Sequence, residues 1–154
     1  MYLAFNKKLE CLGYQFEIGK TYEIKGDPIL CGNGFHFCRD MQSCFEYYDM
    51  DSRICEVKAE EIVEGKDKSI CRKITIIREL NKQEIIDRIT DSKWAYYWAR
   101  FIGNHEVMID RITESEYAYL WARYIGNHEV MVDRITHEGQ RKEIQKIIRE
   151  KSSR

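Results

Sequence analysis

The strongest constraint on the fold of this 154-residue chain is an internal duplication of 23 residues. Residues 87–109 read DRITDSKWAYYWARFIGNHEVMI, residues 110–132 read DRITESEYAYLWARYIGNHEVMV, and 17 of these 23 positions are identical. A third copy begins with the letters DRIT at residues 133–136. A fixed period in this range is typical of stacked repeats, in which each supersecondary unit buries its apolar face against its neighbours. Such arrays usually bind partners, so the duplication favours recognition over chemistry.

Each copy of the duplicated segment predicts two helices joined at a glycine. The first helix is expected to end at Gly103 or Gly126, because glycine readily adopts the left-handed conformation that closes a helix. Asn104 and Asn127 follow directly and are the predicted caps of a shorter second helix.

The segments around the two copies extend the helical prediction. Thr113 and Glu116 have the spacing of a capping box at the start of a helix. Residues 80–90 resemble the end of a copy and predict a leading half-repeat, while residues 140–150 carry an amphipathic pattern that predicts a closing helix. The sequence therefore predicts a compact helical block over residues 81–154.

Residues 1–80 have a different composition and predict a small strand-rich module. All six cysteines and the single proline lie in this part of the chain. A helix is predicted at residues 40–48, where four apolar side chains fall on one face. The predicted fold class is α+β, with the strand-rich module packed with the C-terminal block of short helical-hairpin repeats. Runs of β-branched and aromatic residues predict strands at residues 2–5, 14–18, 21–24, 34–37, 54–59 and 69–77.

The overall charge and hydropathy of the chain argue against nucleic acid and membranes as partners. A formal net charge of −1 gives no general attraction to nucleic acid or to a membrane surface. No apolar run is long enough to span a bilayer, and no secretory signal pattern is present, so a cytoplasmic location is expected. A protein is therefore the expected partner, and the oligomeric state is left open.

Four residues between positions 31 and 44 make up an inventory that would suffice for zinc. Cys31, His36, Cys38 and Cys44 supply three thiols and one imidazole, and zinc takes four such ligands in a tetrahedron. Their spacing matches no zinc knuckle or ribbon, and Cys44 falls where the helix pattern requires an apolar residue. We therefore predict free, buried cysteines that act as small hydrophobes, with no metal or cofactor, and keep a zinc-binding module as an alternative.

Several short sequence segments in the first half of the chain resemble those of a domain of unknown function that is common in phage and prophage proteins. The resemblance covers residues 2–80 and implies a setting in mobile genetic elements, without an established activity. The matching words are AFNK at residues 4–7, CLGYQFEIGKTYE at 11–23, LCGNGFHFC at 30–38, YY at 47–48, SR at 52–53, CEV at 55–57 and KITI at 73–76.

The segment GFHFC at residues 34–38, followed by an aromatic helix and a strand, also resembles ADP-ribosyltransferase-like folds. Such enzymes combine an Arg or His, a Ser or Tyr, and a late catalytic Glu. The resemblance makes His36, Tyr48 and either Glu56 or Glu79 the candidate catalytic residues. An enzyme of this class is the second alternative.

The duplicated segment resembles the leucine-rich-variant class of short helical repeats over residues 81–136. Tyrosine and arginine are favoured as anchors at protein interfaces. The predicted partner-binding residues are the aromatic and arginine positions of the two copies, which are Tyr96, Tyr97, Arg100, Tyr119, Arg123 and Tyr124.

These observations lead to one functional hypothesis. We expect a non-enzymatic, phage-type accessory protein that acts in the host cytoplasm by binding another protein. The resemblance to phage proteins further implies an anti-defence role, such as inhibition of a CRISPR effector, because compact phage proteins without catalytic motifs often block their targets stoichiometrically.

Overall fold

A computed structural model describes residues 1–66 and 68–154, and the chain divides into two compact units, residues 1–89 and 90–154. An antiparallel sheet forms most of the first unit and helices form the second, which confirms the predicted α+β class. The strands are β1 (Tyr2–Phe5), β2 (Glu10–Cys11), β3 (Tyr14–Gln15), β4 (Thr21–Glu23), β5 (Phe35–Phe37), β6 (Arg53–Val63) and β7 (Ser69–Glu79).

A long hairpin of β6 and β7 forms the centre of the first unit. Its two strands pair antiparallel from Cys55 opposite Glu79 to Val63 opposite Ile70. Strand β1 lies on the free edge of β6, while β4 and β5 pair with successive parts of β7. Because side chains alternate between the faces of a strand, one face of the hairpin joins the core. The buried core of this unit includes Leu3, Phe5, Phe16, Phe35, Phe37, Cys55, Val57, Cys71, Ile74 and Ile76.

The strand predicted at residues 14–18 begins as expected, directly after a tight turn, but is shorter in the structure. Leu12 and Gly13 both have positive φ values, 50° and 76°, as a two-residue hairpin loop between β2 and β3 requires. Strand β3 ends at Gln15, and the next side chain, Phe16, enters the core. The predicted helix at residues 40–48 is a 3-10 helix, Met41–Glu46, capped by the Asp40 side chain.

A short helix, α1, closes the first unit at Lys82–Asp87. Its N-terminus carries a capping box, in which the Asn81 side chain accepts from the Glu84 amide and the Glu84 side chain accepts from the Asn81 amide. The first compact unit ends at Ile89, so the predicted leading half-repeat is part of this unit.

The second unit shows the same pair of helices in both copies of the duplicated segment. Each copy supplies a ten-residue helix and a shorter one, and a 3-10 helix at Val132–Arg134 precedes the closing helix. No helix among residues 1–66 and 68–154 is both long enough and apolar enough to cross a membrane. The helices are α2 (Ser92–Phe101), α3 (His105–Ile109), α4 (Ser115–Tyr124), α5 (His128–Met131) and α6 (Glu138–Ser152).

The start of α4 is fixed by the preceding copy, and the capping box predicted for Thr113 and Glu116 is wrong. No side chain caps α4 from its N-cap residue, Glu114. The hydroxyl of Ser92, at the start of α2, instead accepts from the Thr113 amide at 2.9 Å and from the Glu114 amide at 3.2 Å, and donates to the Arg111 carbonyl at 3.2 Å. One buried serine therefore ties the first copy to the second.

Candidate functional site

The two ten-residue helices bury a small, regular face and expose an arginine on the other side. In α2 the face consists of Ala95, Trp98 and Ala99, and the same positions of α4 repeat this pattern. Residues three and four apart share one side of a helix, so the alanines and the tryptophan form one apolar stripe. Arg100 and Arg123 follow this stripe directly and remain exposed near the C-terminal ends of their helices.

An indole-to-asparagine hydrogen bond fixes the end of each of these helices. Trp98 donates to the Asn104 side chain at 3.3 Å, and Trp121 donates to the Asn127 side chain at 2.9 Å. Asn104 and Asn127 lie at the predicted N-cap positions of the next helices, but neither caps its helix with a side-chain hydrogen bond. Both adopt the left-handed conformation, with φ values of 60° and 52°, which turns their amides towards the tryptophans.

Each exposed arginine donates a hydrogen bond to a tyrosine one turn earlier in its helix. Arg100 donates to the Tyr96 hydroxyl at 2.7 Å, and Arg123 donates to the Tyr119 hydroxyl at 3.3 Å. In the second pair Glu143 of α6 completes the arrangement, since it accepts from the Tyr119 hydroxyl at 2.7 Å and forms an ion pair with Arg123. The pKa of Tyr119 is raised, first because of this bond to Glu143.

The first pair has no such acidic partner. Leu120 of α4 occupies the repeat position that Glu143 occupies in the third copy. Within residues 1–66 and 68–154, no carboxylate forms an ion pair with Arg100. Its guanidinium carbon lies instead 4.5 Å from the centre of the Tyr124 ring and 5.1 Å from that of Phe101, so only neutral groups hold this cation.

Aromatic rings surround this arginine and reach solvent. Phe101 is 63% exposed and Tyr124 is 51% exposed. Tyr97 lies nearly parallel to Phe101, with their ring centres 6.2 Å apart. We define the Arg–aromatic surface as the set Tyr97, Arg100, Phe101, Arg123 and Tyr124.

The structure changes the predicted set of partner-binding residues in two ways. Tyr96 is only 1% exposed and packs beside Tyr117, so it belongs to the core and cannot anchor a partner. Tyr119 is half-buried and is held by Glu143, whereas Tyr97, Arg100, Arg123 and Tyr124 retain solvent access. Phe101 was missed, although the duplication aligns it with Tyr124 and could have identified it.

The four zinc candidates do not form a common cluster. Cys38 and Cys44 are buried and share a hydrogen bond, Cys31 is exposed, and His36 is half-buried in β5. This bond lowers the pKa of the Cys38 thiol and, together with burial, raises the pKa of the Cys44 thiol. In the described part of the chain, no three His, Cys, Asp or Glu side chains are grouped as a metal site would require.

Three of the four candidate catalytic residues bind separate partners. Tyr48 shares a 3.3 Å hydrogen bond with the Cys11 thiol, and burial, followed by this bond, raises the pKa of Tyr48. Glu56 accepts from Arg78 at 2.8 Å, and Glu79 forms a two-pronged pair with Arg53 at 2.7 and 2.8 Å. Arg53 lowers the pKa of Glu79, so this carboxylate is charged at neutral pH. No hydrogen bond or ion pair among residues 1–66 and 68–154 joins His36, Tyr48 and a glutamate to one another.

Comparison with known proteins gives one match. A family model described as a domain of unknown function, DUF7666, matches residues 1–88. No curated protein and no solved structure matches the chain.

Proposed function

The chain belongs to the DUF7666 family, and from that starting point we propose that it is a non-enzymatic accessory protein that acts by binding another protein. The Arg–aromatic surface is the contact region. It combines exposed rings with a guanidinium, and both are side-chain types that anchor protein interfaces.

Arg100 is the main support for this proposal, because the equivalent arginine, Arg123, shows that a carboxylate binds at this position of the repeat. The carboxylate of Glu143 meets Arg123 and the Tyr119 hydroxyl, while the corresponding Arg100 has only the Tyr96 hydroxyl and neighbouring rings. A partner that places a glutamate or aspartate on Arg100 would reproduce this internal contact. The expected partner surface is therefore an acidic side chain beside an apolar patch that covers Phe101 and Tyr124.

The interaction is tested by capture from a lysate of the native host with three forms of the immobilised protein. The variant Arg100→Glu removes the guanidinium that would bind the partner's carboxylate. It also places a negative charge opposite that carboxylate. We expect wild type to retain a host protein and Arg100→Glu to retain it about 30-fold less, the effect of losing an interface hot spot. Quantitative mass spectrometry measures the retained protein.

The matched control is Arg149→Glu, which reverses an exposed arginine in the last turn of α6. This variant should retain the host protein as wild type does. Equal retention by all three forms would remove the Arg–aromatic surface from the interaction, and no retention at micromolar protein would contradict the binding function itself.

The finer part of the proposal is an anti-defence role in a phage setting. Its support is the resemblance of residues 2–80 to phage and prophage proteins. If the protein blocks a CRISPR effector, its expression in cells with an active effector should restore plaque formation by a targeted phage. Arg149→Glu should restore it equally and Arg100→Glu should not. Unchanged plaque formation with wild type, across the effectors of the native host, would contradict this role.

A further inference from the structure

An aromatic cavity in the first unit has no part in the protein-binding function proposed above. Its volume is about 260 Å³, and most of its lining comes from the β2–β3 hairpin, from β5 and from the residues just before β5. Leu3, Phe16 and Phe35 line it and are buried in the core. Tyr14 also lines it but is exposed. The cavity therefore reaches from the core to the solvent, where a ligand can enter.

Three aromatic rings of the cavity wall contact one another. Phe35 meets Tyr14 at an interplanar angle of 79° and Phe16 at 71°, with ring centres 6.0 Å apart in both pairs. The rings of Tyr14 and Phe16 are 4.9 Å apart and tilted by 47°. Aromatic rings prefer such edge-to-face and tilted contacts, so a further flat ring can join the wall in the same way. The wall therefore favours an aromatic ligand.

The volume of the cavity suits two fused rings. An engineered cavity of about 150 Å³ in another protein holds one benzene molecule. The cavity of this chain is about 1.7 times as large, so a single six-membered ring would leave part of it empty. Unfilled space forfeits contact with the surrounding atoms. A fused pair of rings fills the cavity better.

The lining of the cavity is uncharged. Among the described residues, it contains no Asp, Glu, Lys or Arg side chain. Burial, followed by the nearby Lys68 ammonium, lowers the pKa of His36, and burial raises the pKa of the Cys11 thiol, so both groups are neutral at neutral pH. A charged ligand, or one with many polar atoms, would lose its hydration here without replacement. The ligand is therefore expected to be neutral, with few polar atoms.

Asn33 supplies one hydrogen-bond acceptor to the cavity. Its side-chain nitrogen donates to the carbonyls of Lys25 at 2.9 Å and Asp27 at 3.4 Å, which fixes the amide group. Its side-chain oxygen accepts from no group in the part of the chain that the structure describes. A single fixed acceptor beside an apolar space suits a ring with a single N–H group.

Leu12 lies where the fold itself gives no reason for a leucine. It takes the first position of the two-residue turn between β2 and β3, with a φ of 50°, and asparagine is preferred there. The side chain lines the cavity but is 78% exposed. Neither the backbone conformation nor burial stabilises a leucine at this position. Apolar contact with a ligand in the cavity would do so.

We propose that this cavity binds an indole ring. The fused rings pack against Tyr14, Phe16 and Phe35, and the ring N–H donates to the side-chain oxygen of Asn33. Leu12 contacts the ring at the mouth of the cavity. The indole can belong to a free compound or to a tryptophan of another protein. The site lies in residues 1–89 and is independent of the function proposed for residues 90–154.

Calorimetric titration of the full chain with indole tests the site. We expect one molecule to bind per chain with a dissociation constant on the order of 10 μM, which is within the range for a ligand of about nine atoms. Benzothiophene has nearly the same shape but no N–H group, so it should bind about fivefold more weakly. A lack of saturable indole binding at about 1 mM overturns the proposal. Benzothiophene binding as tight as that of indole also overturns it.

N-acetyltryptophanamide distinguishes the two sources of the ring. This compound carries indole on a short peptide-like group, as a protein does. Binding at least about tenfold tighter than that of indole assigns the ring to a tryptophan of a partner protein, because the peptide groups then add contacts. Any weaker binding assigns it to a free indole compound.

The variant Leu12→Asn separates ligand binding from folding. Asparagine is preferred in this turn, so the variant should be at least as stable as wild type in urea denaturation. It should bind indole about fivefold more weakly, because it loses apolar contact. The matched control, Ile18→Asn, replaces another exposed apolar residue that does not line the cavity, and should bind indole as wild type does. Unchanged indole binding by folded Leu12→Asn overturns the assignment.

Discussion

Replacing Trp121 with alanine is expected to lower the free energy of unfolding of the helical unit by about 3–5 kcal/mol. The side chain is fully buried and its indole donates a hydrogen bond to Asn127. The His105 ring packs edge-on against it, with the two ring centres 6.1 Å apart. Alanine leaves a cavity at the centre of the second copy and frees the turn after α4. Urea denaturation of the full chain, followed by the circular dichroism of the helices, measures the change.

Two further variants identify the source of the Trp121 effect. Trp121→Phe keeps most of the buried apolar area but loses the indole donor, so a smaller loss of about 1–2 kcal/mol is expected. Phe101→Ala also removes an aromatic ring, but one that is exposed, and its effect should stay within about 0.5 kcal/mol. If Trp121→Ala were no more destabilising than Phe101→Ala, this tryptophan would not be part of a packed core.

The second large effect is expected for Ser92→Ala, with a loss of about 2–4 kcal/mol in the free energy of unfolding. The substitution removes one hydroxyl but breaks its hydrogen bonds to the amides of Thr113 and Glu114, to the carbonyl of Arg111 and to the hydroxyl of Thr113. Ser92 is 1% exposed, so water cannot easily replace the lost acceptor. Denaturant unfolding monitored as above gives the measurement.

Ser115 provides a control for this prediction within the same molecule. It occupies the same repeat position as Ser92 and is half-buried, but among residues 1–66 and 68–154 its hydroxyl accepts only from the Thr136 amide, at 2.8 Å. Ser115→Ala should therefore cost about 1 kcal/mol. Equal losses for the two serines would mean that the additional bonds of Ser92 contribute nothing to stability.

The helical part of the fold could be predicted because both copies of the duplicated segment carry the same helical pattern. The role of Ser92 could not be predicted. A capping box is a local sequence pattern, and Thr113 and Glu116 have the residue types and the spacing that it requires. The actual acceptor lies 21 residues earlier and becomes visible only when the packing of α2 against α4 is known. Local spacing cannot show a hydrogen bond between an amide and a side chain 21 residues earlier in the chain.

The candidate surface was predictable in composition but not in exposure. Tyr96 and Tyr97 are adjacent aromatic residues, yet Tyr96 enters the core beside Tyr117 while Tyr97 reaches solvent. One step along a helix rotates a side chain by about 100°, so the orientation of the helix decides which of the two is exposed. In the first unit, the position of His36 depends on the pairing of β5 with β7, which places it opposite Ile70 and which the sequence does not specify.

The contrast between Leu120 and Glu143 means that the number of copies determines how many arginines have no carboxylate partner. Arg100, which is followed by another full copy, has Leu120 where Arg123 has Glu143, and among residues 1–66 and 68–154 it pairs with no carboxylate, whereas Arg123 pairs with Glu143. Inserting one more 23-residue copy between the existing two would be expected to add one further unneutralised arginine beside an exposed ring. In such a chain, the number of binding sites for the proposed acidic partner can change by duplication of a segment, without any new kind of residue.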